Sequence, residues 1–168
     1  MTVRHEQKAV EEGPSASEAA ALEQERRMLY CLSQVPSLGA VSIQELGEFF
    51  GGFSNLFNIE ETALRESGIL REVQLQAFLE GKKNRSEHLE EYEKLTERGI
   101  RFVTPLEPEY PERLLHIHGY PMGLYVRGKL PDPKFPAVAV VGARGCSEYG
   151  SQLAAAFAEM LAKEQVQI

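Results

Sequence analysis

A short segment near the end of the chain combines residue types that hold phosphate groups. It reads VAVVGARGCSEYG, from Val138 to Gly150, and a helical pattern follows it. Arg144 offers a charged bidentate donor, Ser147 offers a hydroxyl, and the start of a helix offers unpaired backbone N–H groups. We therefore predict an anion-binding turn formed by Gly142, Arg144, Ser147 and Gly150.

The spacing in this turn argues against the two commonest nucleotide-binding loops. A dinucleotide loop needs GxGxxG, and Arg144 stands where the second glycine would let a pyrophosphate approach. No GK[ST] follows at the distance that a P-loop requires. No nucleophile–base pair accompanies the turn, so we expect neither catalysis nor a cofactor. Purely structural roles stay open, since the glycines can serve the turn and Ser147 can simply cap the helix.

Cysteine and histidine offer weaker candidates. A helix N-terminus could lower the pKa of the Cys146 thiol, although a small turn residue is the simpler interpretation. Cys31 and Cys146 have no CxxC partner, which fits reduced thiols in a cytosolic protein. His116 and His118 form an H-x-H with no third ligand in view, so we predict no metal site.

Composition narrows the class of protein. The 168 residues are 43% hydrophobic and 26% charged, without tryptophan, which is typical of a globular protein. No run reaches the roughly 18 apolar residues of a membrane helix, and the N-terminus lacks the apolar core of a secretory signal. We expect a cytoplasmic protein with no membrane partner. The net charge of −7 argues mildly against nucleic-acid binding, although a local pocket can be positive on an acidic body.

The sequence pattern divides the chain into three segments. Residues 1–20 are polar and contain GPSAS, which predicts a disordered leader. Residues 21–99 predict a small all-helical domain of the SAM or helix-hairpin-helix type. Residues 100–168 mix short β-rich runs with a helix, and the unbroken apolar run at 137–142 is typical of a parallel strand covered on both faces. This predicts the start of a Rossmann-like domain, and so an α+β or α/β fold class.

Apolar periodicity and Gly or Pro breaks place the individual helices. In the helical segment they predict helices from Leu22 to about Val35, and over 40–50, 71–82 and 86–98. Asn58 followed by Glu61 resembles a capping box that opens a further short helix. In the last segment we expect strands at IRFVT and GLYVRG, and a final helix from Tyr149 with a core stripe of Leu153, Phe157, Met160 and Leu161.

The hairpin around PSLG, residues 36–39, has two interpretations. In a helix-hairpin-helix the glycine turn donates backbone N–H groups to a DNA phosphate. In a generic helical hairpin the two helices only pack on their neighbours. The turn has no lysine or arginine, and the next helix carries Glu45 and Glu48, which favours the packing role.

Two blocks in the last segment together resemble a known family. YPERLLHIHGYPMGLYVRG and VAVVGARGCSEYG fit the pattern YP..L..I...P..LY..G, then VG.R..S.YG, of the DNA-processing protein A (DprA, or Smf) family. The residues that fill the pattern are Tyr110, Pro111, Leu114, Ile117, Pro121, Leu124, Tyr125, Gly128, Val141, Gly142, Arg144, Ser147, Tyr149 and Gly150. The helical segment also resembles the helical N-terminal domain of many members.

The resemblance implies an extended Rossmann-like domain that binds single-stranded DNA in a positive pocket. It also implies homodimerisation and loading of the RecA recombinase onto DNA during natural transformation, and thus a binding protein rather than an enzyme. By position, phosphate binding falls on Gly142, Arg144, Ser147 and Gly150. Family members continue with an SG.A.GID segment that does not follow Ile168, so we expect this chain to be an N-terminal portion, truncated within the Rossmann-like domain.

Two alternatives stay open. One is a nucleotide-binding, Rossmann-like enzyme that hydrolyses N-glycosidic bonds, which normally needs a downstream PGG.GT..E segment. The other is a truncated, inactive remnant in which the helical domain folds and the last segment is marginal.

Overall fold

The computed structural model describes residues 15–168, in which a helical part comes before a small sheet and a last long helix follows it. The elements are α1 (Ala16–Ser33), α2 (Ala40–Phe50), a 3₁₀ turn (Leu56–Asn58), α3 (Glu61–Glu66), α4 (Glu72–Lys83), α5 (Arg85–Glu97), β1 (Arg101–Val103), α6 (Glu112–Leu115), β2 (Leu124–Val126) and α7 (Glu148–Lys163). Strands β1 and β2 pair antiparallel. This arrangement confirms the α+β fold class.

Helix α1 begins earlier than its apolar periodicity indicates. The Ser15 side chain accepts from the Glu18 backbone N–H, and the Glu18 carboxylate accepts from the Ser15 N–H at 2.8 Å. This reciprocal capping box satisfies two donors at the helix start. The helix therefore includes residues 16–20, which the sequence assigned to a disordered leader, while residues 1–14 lie outside the described part of the chain.

The helical core forms around α1, which packs against α4, α5 and β1. Two glycines let neighbouring elements approach closely. A Cβ on Gly47 of α2 would lie 2.8 Å from Phe53 Cζ, and a Cβ on Gly81 of α4 would lie 2.6 Å from Val35 Cγ2. Both distances are too short for carbon atoms, so these positions require glycine for packing.

The expected helices over 40–50, 71–82 and 86–98 are confirmed to within one residue at each end. The expected capping box at Asn58 is wrong. Asn58 ends the 3₁₀ turn, and α3 has Glu60 at its N-cap with no side-chain cap. The turn takes up the residues that the box would have used, so the helix starts later.

The β1–β2 hairpin shares the core of the helices. Phe102 and Met122 belong to the same buried cluster as Tyr30 and Leu32 of α1. The Phe102 ring meets Tyr30 edge to face, with ring centroids 5.2 Å apart. The main core therefore continues past residue 99, where the sequence placed a domain boundary.

The loop between β1 and β2 is fixed by two buried contacts. Tyr110 donates its hydroxyl hydrogen to the Pro121 carbonyl at 2.7 Å, which closes the loop that carries α6. The Glu107 carboxylate accepts from the Thr104 N–H and hydroxyl and forms an ion pair with Arg26 of α1. Burial disfavours the charge of Arg26, but Glu107 and Glu23 outweigh this effect, so the pKa of Arg26 is raised.

The expected strand at 137–142 differs most from the structure. Only Ala137 pairs there, in a single parallel bridge with Gln167, and Val141 is 88% exposed. The predicted core stripe of α7 is also wrong, because Leu153, Phe157 and Met160 are all exposed. The apolar pattern was identified correctly, but no other helix or strand in residues 15–168 covers it.

Gly123→Ala tests the contact that joins the hairpin to the helices. An added Cβ would overlap the Phe102 ring, whose Cε1 lies 2.6 Å away. We expect the free energy of unfolding to fall by about 2 kcal/mol, since overpacking a core typically costs 1–3 kcal/mol. The free energy of unfolding is measured by urea denaturation, monitored by far-UV circular dichroism.

Gly145→Ala is the matched control, because nothing lies within 4 Å of its added Cβ. Equal stability losses in the two variants would show that the contact with Phe102 does not restrict this position.

Candidate nucleic-acid interface

Ser147 is the N-cap of α7. Its Oγ accepts from the Gly150 N–H at 3.1 Å, and its carbonyl accepts from the Ser151 N–H at 3.0 Å. The cap leaves the hydroxyl hydrogen of Ser147 free to donate. The Glu148 and Tyr149 N–H groups have no partner within residues 15–168. The helix start therefore presents one hydroxyl and two backbone donors together.

The glycines of the turn leave its backbone accessible. Nothing lies within 4 Å of a Cβ built on Gly142 or Gly145, and neither has a positive φ. Gly150 differs, because its Cβ would lie 3.4 Å from Ser147 Oγ, at the cap itself. Packing in the described residues thus explains Gly150 in part, but it does not explain Gly142.

Arg144 is exposed and forms no ion pair or hydrogen bond within the described part of the chain. Two other cations of residues 100–168 are paired: Arg101 with Glu109 at 2.5 Å, and Lys163 with Glu159 at 2.7 Å. Arg144 differs from the remaining cations of this region by its place just before the N-cap of α7. The structure thus brings Ser147 and Gly150 into contact and places Gly142 and Arg144 in the exposed turn before them, without a hydrogen bond between the two pairs.

The negative charge of the chain lies outside this region. Residues 1–99 contain 11 Lys or Arg and 18 Asp or Glu, which accounts for the whole net charge of −7. Residues 100–168 contain seven of each kind and are neutral. The acidic composition therefore does not argue against an anion site at the turn, although Glu148 in the first turn of α7 reduces the local positive potential.

Gln167 supports the segment that leads into the turn, and sequence analysis missed it. Its side-chain oxygen accepts from the Asp132 N–H at 2.6 Å, and its amide nitrogen donates to the Asp132 and Phe135 carbonyls. Its backbone pairs with Pro136 and Val138. An amide that bonds only to backbone has no recognisable sequence motif; the β-type VQI ending was the one available signal.

The two thiols differ in their environment. Cys31 is fully buried in α1, and burial raises the pKa of its thiol to about 11. Cys146 is exposed, next to the N-cap of α7.

In residues 15–168, no three His, Cys, Asp or Glu side chains are grouped so that they could hold a metal ion. That same part of the chain has no helix that is both long and apolar enough to span a bilayer.

Comparison with known proteins finds a family similar to the region that contains the turn. Residues 101–168 match the family model of DNA recombination-mediator protein A. The chain is also 27% identical over 135 residues to Protein Smf of Synechocystis sp.. Both comparisons point to similarity with the DprA/Smf family. The similarity to the Synechocystis protein covers 78% of this chain and so includes much of the helical segment.

The chain spans about a third of the length of that relative, 34%. No solved structure matches it. Within the DprA/Smf pattern, the structure explains Tyr110 and Pro121 by their mutual hydrogen bond and Gly128 by its φ of 90°. It gives no comparable structural reason for Arg144.

Ser147→Ala and Ser147→Asp separate capping from other roles. Alanine removes the acceptor for the Gly150 N–H, at a cost of about 1 kcal/mol, whereas aspartate is also a good N-cap. Because α7 has no buried residue, we expect the loss to appear locally. Hydrogen exchange at Gly150 should become about 5-fold faster in Ser147→Ala and stay near wild type in Ser147→Asp. Faster exchange in both variants would contradict a capping role.

Thiol labelling tests the burial of Cys31 in solution. With Ellman's reagent at pH 8, we expect one thiol of the native protein to react within minutes and the second only on unfolding. The reason is that a buried thiol with a pKa of about 11 holds little thiolate at that pH. Cys146→Ser should remove the fast phase alone. Fast labelling of Cys31 in that variant would show that the α1 core opens readily.

Proposed function

We propose that this chain contributes the single-stranded DNA contact of a recombination mediator. The observation that carries the proposal is Arg144, an exposed arginine without a protein partner in residues 15–168, placed just before the N-terminus of α7. A phosphodiester is the ligand that fits this set best, because a guanidinium donates two parallel hydrogen bonds to phosphate oxygens. The match of residues 101–168 to the family model of DNA recombination-mediator protein A supports DNA as the source of the phosphate.

Each group of the turn has a distinct part in this proposal. Arg144 supplies the charge, while the Ser147 hydroxyl and the Glu148 and Tyr149 N–H groups supply short-range donors and the favourable end of the helix dipole. Because Gly142 has no side chain, the DNA strand can approach the protein backbone closely there. These contacts read phosphates and not bases, so the binding is independent of sequence.

The wider biological role follows from the family and is also a proposal. By similarity to the DprA/Smf family, we propose that the protein acts in the cytoplasm as a homodimer and loads RecA onto the bound strand during natural transformation. We propose a binding role and not a catalytic one, because the turn offers donors and charge but no nucleophile–base pair.

Arg144→Ala should weaken binding of the full 168-residue chain to a fluorescein-labelled poly(dT) oligonucleotide. We expect at least a 5-fold rise in Kd at low salt, and a slope of log K against log[salt] that is smaller by about 0.7, the value for one phosphate contact on a single strand. Fluorescence anisotropy over a salt series measures both quantities.

Arg98→Ala is the matched control, since Arg98 is also exposed but lies in the acidic helical segment. It should leave the affinity and the salt slope within twofold of wild type. Glu148→Gln should strengthen binding, because it removes the one carboxylate of the first turn of α7. An unchanged salt slope in Arg144→Ala would contradict the assignment.

A further inference from the structure

A cleft on the helical segment remains unexplained by DNA binding. One wall is helix α2 and the other is the loop between α3 and α4, and the space between them is about 590 Å³. Its lining residues are Glu45, Glu48, Phe49, Ser67, Gly68 and Ile69. We call this surface the α2 cleft.

Phe49 is exposed because of its position on a fixed helix. The residue is 62% exposed, and its ring lies against that of Phe50, with ring centroids 4.9 Å apart. Helix α2 ends in the left-handed Gly51, and the Gly52 N–H donates to the Gly47 carbonyl at 2.9 Å. These backbone contacts hold the last turn of α2 and so determine where the Phe49 side chain leaves the helix.

The loop after α2 is attached to α1. Glu25 accepts from the Phe53 N–H at 2.6 Å and from the Ser54 N–H at 3.2 Å. The opposite wall is also ordered, since the Ser67 hydroxyl donates to the Leu64 carbonyl at 2.8 Å and Gly68 turns the chain with a φ of 68°. Both walls are therefore preorganised, which lowers the cost of binding.

The charge of the α2 cleft is negative. Glu45, Glu48 and Phe49 are spaced i, i+3 and i+4, so they share one face of α2. Neither glutamate forms an ion pair within residues 15–168, whereas Glu61 and Glu72 both pair with Arg65. No lysine or arginine lines the cleft. Two uncompensated carboxylates thus flank an exposed aromatic ring.

We propose that the α2 cleft docks a basic segment of a partner protein that carries a bulky apolar side chain. The apolar side chain packs between Phe49 and Ile69, and lysine or arginine on either side pairs with Glu45 and Glu48. Nucleic acid does not fit, because its phosphates meet these carboxylates at close range. A second copy of the cleft does not fit either, since it brings the same charges.

A set of three labelled peptides tests the chemistry of the occupant. The first is an amphipathic fluorescein-labelled peptide of lysine and leucine; the second has glutamate for each lysine, and the third has serine for each leucine. With the full chain at low salt, fluorescence anisotropy should show binding of the first peptide, at least 10-fold tighter than of the other two. Similar affinities for the first and third peptides would overturn the proposal, because the apolar contact would then be irrelevant.

Variants of the chain locate the binding. Glu45→Lys combined with Glu48→Lys should weaken binding of the lysine–leucine peptide at least 10-fold. Phe49→Ala should weaken it about 5-fold. Glu90→Lys combined with Glu97→Lys makes the same change in net charge on α5, and Val73→Ala removes an apolar side chain that is also exposed. Neither control should change the affinity more than twofold. An equal loss in the α5 double variant would overturn the proposal, since the overall acidic charge would then explain the binding.

Two further measurements separate peptide docking from unfolding and from self-association. The melting temperature of Phe49→Ala should match wild type, because the side chain is mostly exposed. If the melting temperature falls, Phe49→Leu becomes the test, because leucine keeps an apolar side chain at this position. Loss of peptide binding in Phe49→Leu would then overturn the proposal. Sedimentation velocity of the chain alone checks the oligomer. A dimer that Phe49→Ala dissociates would assign the cleft to a second copy and overturn the proposal.

Discussion

The insertion of Phe102 into the helical core is the constraint on which the rest of the structure depends. Its ring packs edge to face on Tyr30 of α1 and on Tyr125 of the neighbouring strand, with centroids 5.2 and 5.3 Å apart. Gly123 leaves the space that the ring occupies. Without this contact, a two-stranded hairpin would be only marginally stable in water. Phe102 thus makes the short sheet part of the helical body.

The ion pair between Arg26 and Glu107 also positions the end of β1 against α1. Most ion pairs of the described residues lie between exposed side chains, where such pairs contribute about 0–1 kcal/mol. The Glu107 side chain is only 6% exposed. A partner lost from such a pair leaves a buried charge, which costs far more. Because Glu107 also holds the Thr104 N–H, the pair fixes where the chain leaves β1 relative to α1.

Sequence patterns predicted the elements whose causes are local. Glycine breaks and apolar spacing gave α2 its bounds, Ala40–Phe50, because both ends are determined by neighbouring residues. The start of α1 was missed although its cause is local, since the Ser15–Glu18 box lies ahead of the apolar stripe. The exposure of Val141 and Phe157 was not predictable, because burial depends on a second surface that periodicity does not describe. The residue types and spacing of the turn indicated an anion site at Arg144 and Ser147. The site and its ligand stay predictions, because any phosphate satisfies the same donors.

The two ends of the chain differ in packing and in charge, and the candidate anion site lies at the less packed, neutral end. Residues 1–99 carry all of the net negative charge and most of the buried core. Helix α7, in contrast, has no buried residue, and the segments around it are held by the Ser147 cap and the Gln167 hydrogen bonds. Segments with few buried contacts open at low free energy. A phosphate bridging Arg144 and the α7 N–H groups would add contacts where the fold has fewest, so the proposed ligand binding would be coupled to local ordering of the turn. Under the two proposals, the anion site would lie apart in sequence from the acidic helices, and the α2 cleft would stay free for a basic partner.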